Sequence, residues 1–251
     1  MLVVQNIRQY FGGLAALDGV SLEVAQGSIT AVIGPNGAGK TTLFNIISGL
    51  RQPTGGTITF KGMAVTGWPP HRIAQAGLSR TFQNMQLFAN LNALENVIAA
   101  RFCRTRSSLL EALLWLPRDR RDRRHSQERA QELLRWVGIE AHRFLMPREL
   151  PYGDQRRLEI ARALATEPEL LMLDEPTAGM SHLEAQELMR LIERLREHGT
   201  TILLIEHNMP LVMSISDKIV VLNFGKKIAE GSATEIQTHP EVIEAYLGVE
   251  A

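Results

Sequence analysis

The sequence predicts an α/β protein with a buried parallel sheet flanked by helices, an antiparallel β layer near its start, and a helical insertion. Three observations lead there. First, Ser28-Ile29-Thr30-Ala31-Val32-Ile33 is an apolar, β-branched run that leads into a glycine-rich loop, and Leu43 to Gly49 follow as a helix. Second, Leu170-Leu171-Met172-Leu173 and Thr200 to Ile205 are short apolar runs, each ending in charged residues: Asp174-Glu175 and Glu206-His207. Third, strands and helices alternate after residue 160, the pattern of parallel strands joined by crossover helices.

The glycine-rich loop is Gly34-Pro35-Asn36-Gly37-Ala38-Gly39-Lys40-Thr41-Thr42. Gly34, Gly39, Lys40 and Thr41 match phosphate-loop spacing in the context that motif requires, strand then loop then helix. Glycines let consecutive backbone N–H groups turn inward as an anion nest. The helix N-terminus adds positive partial charge at the same point. Lys40 supplies a compact cation for β- and γ-phosphates, and the Thr41 hydroxyl is a hard oxygen for Mg²⁺. The fold class is therefore that of a phosphate-loop NTPase core.

The 251 residues suit one large domain, or a core with a smaller inserted one. Lysine plus arginine (27) balances aspartate plus glutamate (27), so nothing global argues for a polyanionic partner. Cys103 is the only cysteine, which excludes an internal disulfide and fits a reducing compartment. The first residues lack a basic segment followed by an apolar one, so no signal peptide is expected. No apolar window of about 18 residues exists, so a membrane role needs other chains to supply the span.

In chain order, Leu2-Val3-Val4, Ser21 to Val24, Ile29 to Ile33 and Gly55 to Phe60 read as strands. Gly12-Gly13, Gly19 and Gly27 punctuate them, and the aromatic pair Tyr10-Phe11 precedes the first turn. Pro69-Pro70 opens a helix through Ala76 that Gly77 stops. Leu78 to Phe82 is a short strand, with Gln83-Asn84 at its carboxyl end, where open α/β sheets bind ligands. Residues 91–136 are mostly helical by period. Leu109 to Leu116, with Trp115, form an apolar cluster closed by Pro117 and expected to pack internally. Arg118 to Arg129 is a charge run. Interspersed opposite charges and no interleaved aromatics make it a solvated helix face rather than a nucleic-acid patch. Gly153 to Leu164 is an amphipathic helix, residues 182–197 another ended by Gly199, and Ile215 to Leu222 a last strand.

Leu150-Pro151-Tyr152-Gly153-Asp154-Gln155-Arg156-Arg157 just before the Asp174-Glu175 strand, with His207 ending the next, resembles the nucleotide-binding subunits of ABC transporters. The likeness covers essentially the whole chain. Phe11-Gly12-Gly13-Leu14, Arg80-Thr81-Phe82-Gln83, Tyr152 to Leu164, Ala178-Gly179-Met180, Ile205-Glu206-His207 and Ile243 to Gly248 look more closely like the branched-chain amino acid importer cassettes. The first of that importer's two cassettes is the nearest match, and the Leu110 to Arg124 insertion is similar to it. The resemblance implies one nucleotide-binding domain over 1–251, with about 84–165 as a helical subdomain carrying the signature motif.

It also implies ATP hydrolysis with Mg²⁺ to power uptake of branched-chain or related amino acids, at the cytoplasmic face of the inner membrane. The implied partners are two multi-span permeases, a second ATP-binding subunit packed head to tail, and indirectly a periplasmic or extracellular solute-binding protein, with no nucleic acid. Asp174 would hold Mg²⁺ through its water shell, and Glu175 would be the general base. Gln83 would ligate Mg²⁺ or water and sense the membrane partner. His207 would contact the γ-phosphate and orient the water. Lys40 and the loop from Gly34 to Thr42 would hold the phosphates, while Phe11, with Tyr10 as competitor, would stack on adenine. Leu150 to Gly153, with Tyr152, Gly153 and Asp154 in the site, would face the γ-phosphate bound by the second subunit. Two other functions share these motifs. Against a lipid or lipopolysaccharide exporter stands the Ala245-Tyr246-Leu247-Gly248 tail. Against a soluble non-transport ATPase stand the single cassette, the lack of a long coiled-coil insertion and the neutral charge.

The chain departs from the family's pattern at three places. Pro151 stands where Ser is usual and lacks both hydroxyl and N–H, so two donors toward the facing phosphate are missing. Asp154 replaces a more usual Gln, and Ser181-His182 replaces Asn-Pro or an Asp. The composite site built with this signature is therefore expected to hydrolyse more slowly than the opposite one. Pro151→Ser should raise turnover in the assembled transporter; an unchanged rate contradicts this.

Overall fold

The computed structural model describes residues 1–104 and 117–247 of the chain. They fall into two compact units, residues 1–80 with 169–251, and residues 81–168. In the first unit, β1 (Leu2–Phe11), β2 (Leu14–Val24), β4 (Gly55–Phe60) and β5 (Met63–Ala64) form an antiparallel sheet in the order β2-β1-β4-β5. The central sheet runs β10-β9-β3-β8-β7-β6. Its members are β3 (Ile29–Ile33), β6 (Leu78–Arg80), β7 (Leu170–Asp174), β8 (Thr201–Ile205), β9 (Lys218–Asn223) and β10 (Lys226–Gly231). Every neighbouring pair in it is parallel except β9 with β10.

Strands β3, β7 and β8 are buried at every position. That is why they read as unbroken apolar runs: a parallel sheet is covered on both faces. On one face, Val32, Met172, Leu203 and Ile205 pack against α1 (Lys40–Ile47), through Leu43, Phe44 and Ile47, and against Leu2, Val4 and Phe60 of the antiparallel sheet. On the other, Ala31, Ile33, Ile219 and Val221 pack against α7 (Met209–Ile215), α8 (Ala233–Gln237) and α9 (Pro240–Leu247), through Val212, Ile236 and Val242. Burying one such aliphatic side chain is worth about 1.5–3 kcal/mol, so the two clusters lock the sheet between its layers. Helices α2 (Pro70–Gln75) and α6 (His182–Glu197) complete this unit.

Pairing fixes where the chemistry sits. In β3-β8-β7, Val32 and Asp174 both lie in register with Ile205. Parallel strands end at the same edge, so the loops after β3, β7 and β8 emerge side by side.

The second unit holds α3 (Ala93–Ala100), α4 (Pro117–Trp136) and α5 (Tyr152–Ala165). Asn92 and Glu95 form a capping box at the start of α3. The buried Asn96 amide donates to the carbonyls of Phe88 (3.1 Å) and Leu91 (2.8 Å), satisfying a loop that precedes the helix. On α4, Arg124 pairs with Glu128 and Arg129 with Glu132, as a solvated, charge-alternating face requires.

Several elements differ from the sequence expectations. The last parallel strand starts at Lys218, not Ile215. Ile215 belongs to α7, where it, Leu211 and Val212 share the buried face, and Asn208 caps the helix. The apolar residues there follow a helical period for seven residues before the strand begins. Strands β1 and β2 run far beyond the Leu2–Val4 and Ser21–Val24 segments, because polar residues, exposed at Gln5, Asn6 and Arg8 and buried at Gln9, interrupt the apolar run. Pro117 is the first residue of α4, the position where a missing N–H costs nothing. The Leu109 to Leu116 cluster lies outside the described residues. Among the described residues, no helix is long and apolar enough to cross a membrane.

Candidate active site

The loop after β3 is shaped by close backbone approach. Gly34 has φ +149°, and a Cβ there would lie 2.1 Å from the Leu222 carbonyl oxygen. Gly39 has φ +100°, and its Cβ would meet the Ala16 carbonyl oxygen at 2.6 Å. Side chains at either position would push the loop off β9 and β2. Gly37, also at positive φ, faces open space instead, and Asn36 and Gly37 are exposed. No side chain caps α1, and its first turn carries no acidic residue. The helix itself thus supplies no acid and no side-chain acceptor at its positive end, as an anion site requires.

Lys40 is buried at 6% exposure, and its ammonium donates to the carbonyls of Gly34 (2.6 Å) and Pro35 (2.9 Å). Burial lowers its pKa from the usual 10.5, while Glu175 and Asp174 pull it back up. Thr41 is exposed and Thr42 half-buried. Tyr246 of α9 lines the cleft beside Gly34; burial pushes its phenol up to about 12, against the Gly34 backbone, which lowers it. This cleft of about 920 Å³ opens beside the loop, lined in part by Pro35, Asn36, His207, Phe224, Glu241 and Tyr246.

The carboxylates at the end of β7 are both buried. Arg80, at the end of β6, donates to Asp174 Oδ2 at 2.7 Å. The same guanidinium reaches Asn45 Oδ1 (2.8 Å) on α1 and Ser48 Oγ (3.0 Å), and its carbon lies 5.5 Å from the Phe44 ring centre. One arginine thus ties the Asp174 carboxylate to the helix that the phosphate loop opens. Glu175 takes φ +49°, and its N–H donates to Ile205 O at 2.9 Å. Its Oε1 lies 2.6 Å from His207 Nε2, with the histidine half-exposed. The first unit therefore gathers Lys40, Thr41, Asp174, Glu175 and His207 at one sheet edge. Tyr10 and Phe11 end β1, both exposed, and the Arg51 guanidinium stands 4.6 Å from the Phe11 ring centre.

The other expected residues lie in the second unit. Gln83 is exposed, with its carbonyl accepting from Arg156 at 3.0 Å. Arg156 also donates to Phe82 O (3.3 Å) and the Tyr152 hydroxyl (3.0 Å), and Glu159 accepts from Phe82 N (3.1 Å). Burial pushes the Glu159 carboxyl up, against Phe82 N–H and Arg156, which lower it. Gly153 is buried on α5, and Asp154 Oδ2 lies 2.6 Å from His142 Nδ1. Pro151 sits at the N-cap of α5 with no side-chain bond to give, while Ser181 builds a capping box with Glu184 at the start of α6. In sequence, Arg80, Arg156, Tyr246 and Glu206 stand only as members of longer motifs, with no role of their own; the position of each becomes meaningful through partners distant in the chain.

The Arg80–Asp174 pair is 5% and 2% exposed. Removing one partner of such a pair strands a buried charge at a cost of roughly 3–5 kcal/mol. Arg80→Met should lower unfolding stability in urea by about that much. A loss under ~1 kcal/mol, the scale of a solvent-exposed pair, contradicts the described role.

Comparison with known proteins gives the family. The ABC transporter family model matches residues 17–178, and the model described as branched-chain amino acid ATP-binding cassette transporter matches residues 226–251. The high-affinity branched-chain amino acid transport ATP-binding protein LivG of Salmonella typhimurium is 47% identical over 249 residues, 99% of this chain and 98% of that protein. The crystal structure of the ADP conformation of MJ1267, an ATP-binding cassette of an ABC transporter, superposes with a TM-score of 0.86 at 33% identity, covering 99% of this chain and 98% of that one. The dimeric post-hydrolysis structure of the ATP-binding cassette MJ0796, bound to ADP and Pi, gives 0.79 at 26%, over 93% and 99%. The chain belongs to the ATP-binding cassettes of ABC transporters, in their branched-chain amino acid group.

Proposed function

We propose that the chain hydrolyses ATP to drive uptake of branched-chain or related amino acids through two permease subunits. The single observation that carries this is the gathering of Lys40, Glu175 and His207 at the ends of β3, β7 and β8. The similarity to LivG supports the cargo class, and the dimeric cassette MJ0796 supports a working pair of cassettes. The second cassette is a sister or another copy. The site is at the cytoplasmic face, the permeases provide the membrane span, and a solute-binding protein outside delivers the cargo.

The residues fit a magnesium nucleotide. The loop exposes Asn36 and Gly37 around an uncapped helix end, and the Lys40 ammonium is already held among backbone carbonyls. Thr41 and Asp174 offer the hard oxygens for Mg²⁺. When bound, the ion neutralises charge on the phosphate oxygens. Lys40 would exchange its carbonyl partners for phosphate oxygen, and the restored anion would raise its depressed pKa. Phe11 or Tyr10 would stack on the base. Glu175 would accept the proton of the attacking water, and His207, now 2.6 Å from it, would orient that water and contact the γ-phosphate. Across the dimer, Tyr152, Gly153 and Asp154 at the start of α5 would face the nucleotide on the second cassette.

Glu175→Gln keeps the size of the side chain and removes its basicity. It should leave nucleotide affinity within about threefold and lower ATP turnover of the assembled transporter by roughly 10²–10⁴-fold. A Glu175→Gln transporter that cycles at the wild-type rate contradicts the assignment.

A further inference from the structure

One buried carboxylate near this site has no part in the chemistry above. Glu206 follows β8 directly and is 3% exposed. Its Oε1 accepts from Thr177 N at 2.8 Å and from Thr177 Oγ at 2.5 Å. Its Oε2 accepts from His207 N at 3.0 Å, with Asn208 N at 3.5 Å. The four donors come from two loops. Thr177 stands two residues beyond Glu175, in the turn after β7, and is itself buried. His207 and Asn208 are in the turn after β8. Glu206 therefore holds the turn that carries Glu175 through Thr177, and the turn that carries His207 through the His207 and Asn208 N–H groups. Glu175 adopts a left-handed backbone, φ +49°, which persists only where its surroundings over-determine it.

We propose that Glu206 is a positioning residue that clamps the turn after β7 to the turn after β8 and so sets the spacing between Glu175 and His207. The inference rests on the roles proposed for those two residues. An ionised carboxylate is the fitting chemistry. It is acceptor-only, with lone pairs to spare for every donor facing it. Glutamine has the same shape but turns one oxygen into an NH₂ group. That group meets either the Thr177 N–H or the His207 N–H, and a backbone N–H cannot rotate away as a hydroxyl can. Glu206→Gln therefore releases one turn while keeping the volume of the side chain.

Three measurements test the clamp. In the nucleotide-free, full-length chain, amide exchange at Glu175, Thr177 and Ala178 and at residues 207–208 should quicken by tenfold or more in Glu206→Gln, with α6 and β9 unchanged. ADP affinity should stay within about threefold, while kcat of the assembled transporter falls 10- to 100-fold at constant KM. In a His207→Ala background the same substitution should cost less than twofold more, because Glu206 acts through the Glu175–His207 spacing. If Glu206→Gln fails to fold, Thr177→Val loosens the same clamp from the other side and should lower kcat, and Thr177→Ser should restore it. Unchanged exchange at Glu175, Thr177 and Ala178, an unchanged kcat, or multiplicative losses with His207→Ala would each overturn the proposal. If exchange quickens at both turns but the wild-type transporter neither binds nor hydrolyses ATP, the clamp stands and the functional assignment falls.

Discussion

The structure depends on one constraint, the parallel pairing of β8 between β3 and β7. Hydrogen bonds on both sides of β8 hold Val32 and Asp174 level with Ile205. A slip of one residue would turn every buried side chain of β8 to the opposite face and move the strand ends apart. With the register fixed, the phosphate loop, the Asp174-Glu175 pair and His207 need no further search to meet. Packing enforces the register: all five residues of β3, β7 and β8 are buried, with apolar layers above and below.

That edge concentrates charge in a chain whose formal net charge is zero. Lys40 is depressed by burial and partly supported by Glu175 and Asp174. Asp174 leans on Arg80, Glu175 on His207, and Glu206 on backbone and hydroxyl donors. Each acid at the edge thus has its own neighbour. The same arrangement ties the edge to its supports. Arg80 reaches α1 through Asn45 and its C-cap Ser48.

What sequence shows of this protein follows from physical range. The strand-loop-helix order around Gly34 to Thr42 was readable because the motif is contiguous and the strand before it is wholly apolar. The pair Asp174-Glu175 stood out because two carboxylates end a run of four buried residues. The α/β class followed from these runs and their spacing. The start of β9 is hard to place, at Lys218 rather than Ile215, because apolar helix and apolar strand look alike over a few residues. The Arg80–Asp174 bridge joins residues 94 apart and leaves no periodic trace. The Glu206 clamp joins residues 29 apart, and its carboxylate reads in sequence as one more polar residue at a strand end. Ser181 looked like a departure from a motif, whereas the fold uses it to start α6.

The claim on which all else rests is that Lys40 and the backbone around it grip a triphosphate. Isothermal calorimetry on the full-length wild-type chain, with Mg²⁺ and ATP, measures that grip without requiring turnover or partners. The account predicts saturable binding heat at one site, weakened at least about 100-fold in Lys40→Ala, as expected when a buried charged contact to phosphate is lost. No binding heat in the wild-type chain, or equal affinity in the two proteins, would contradict it.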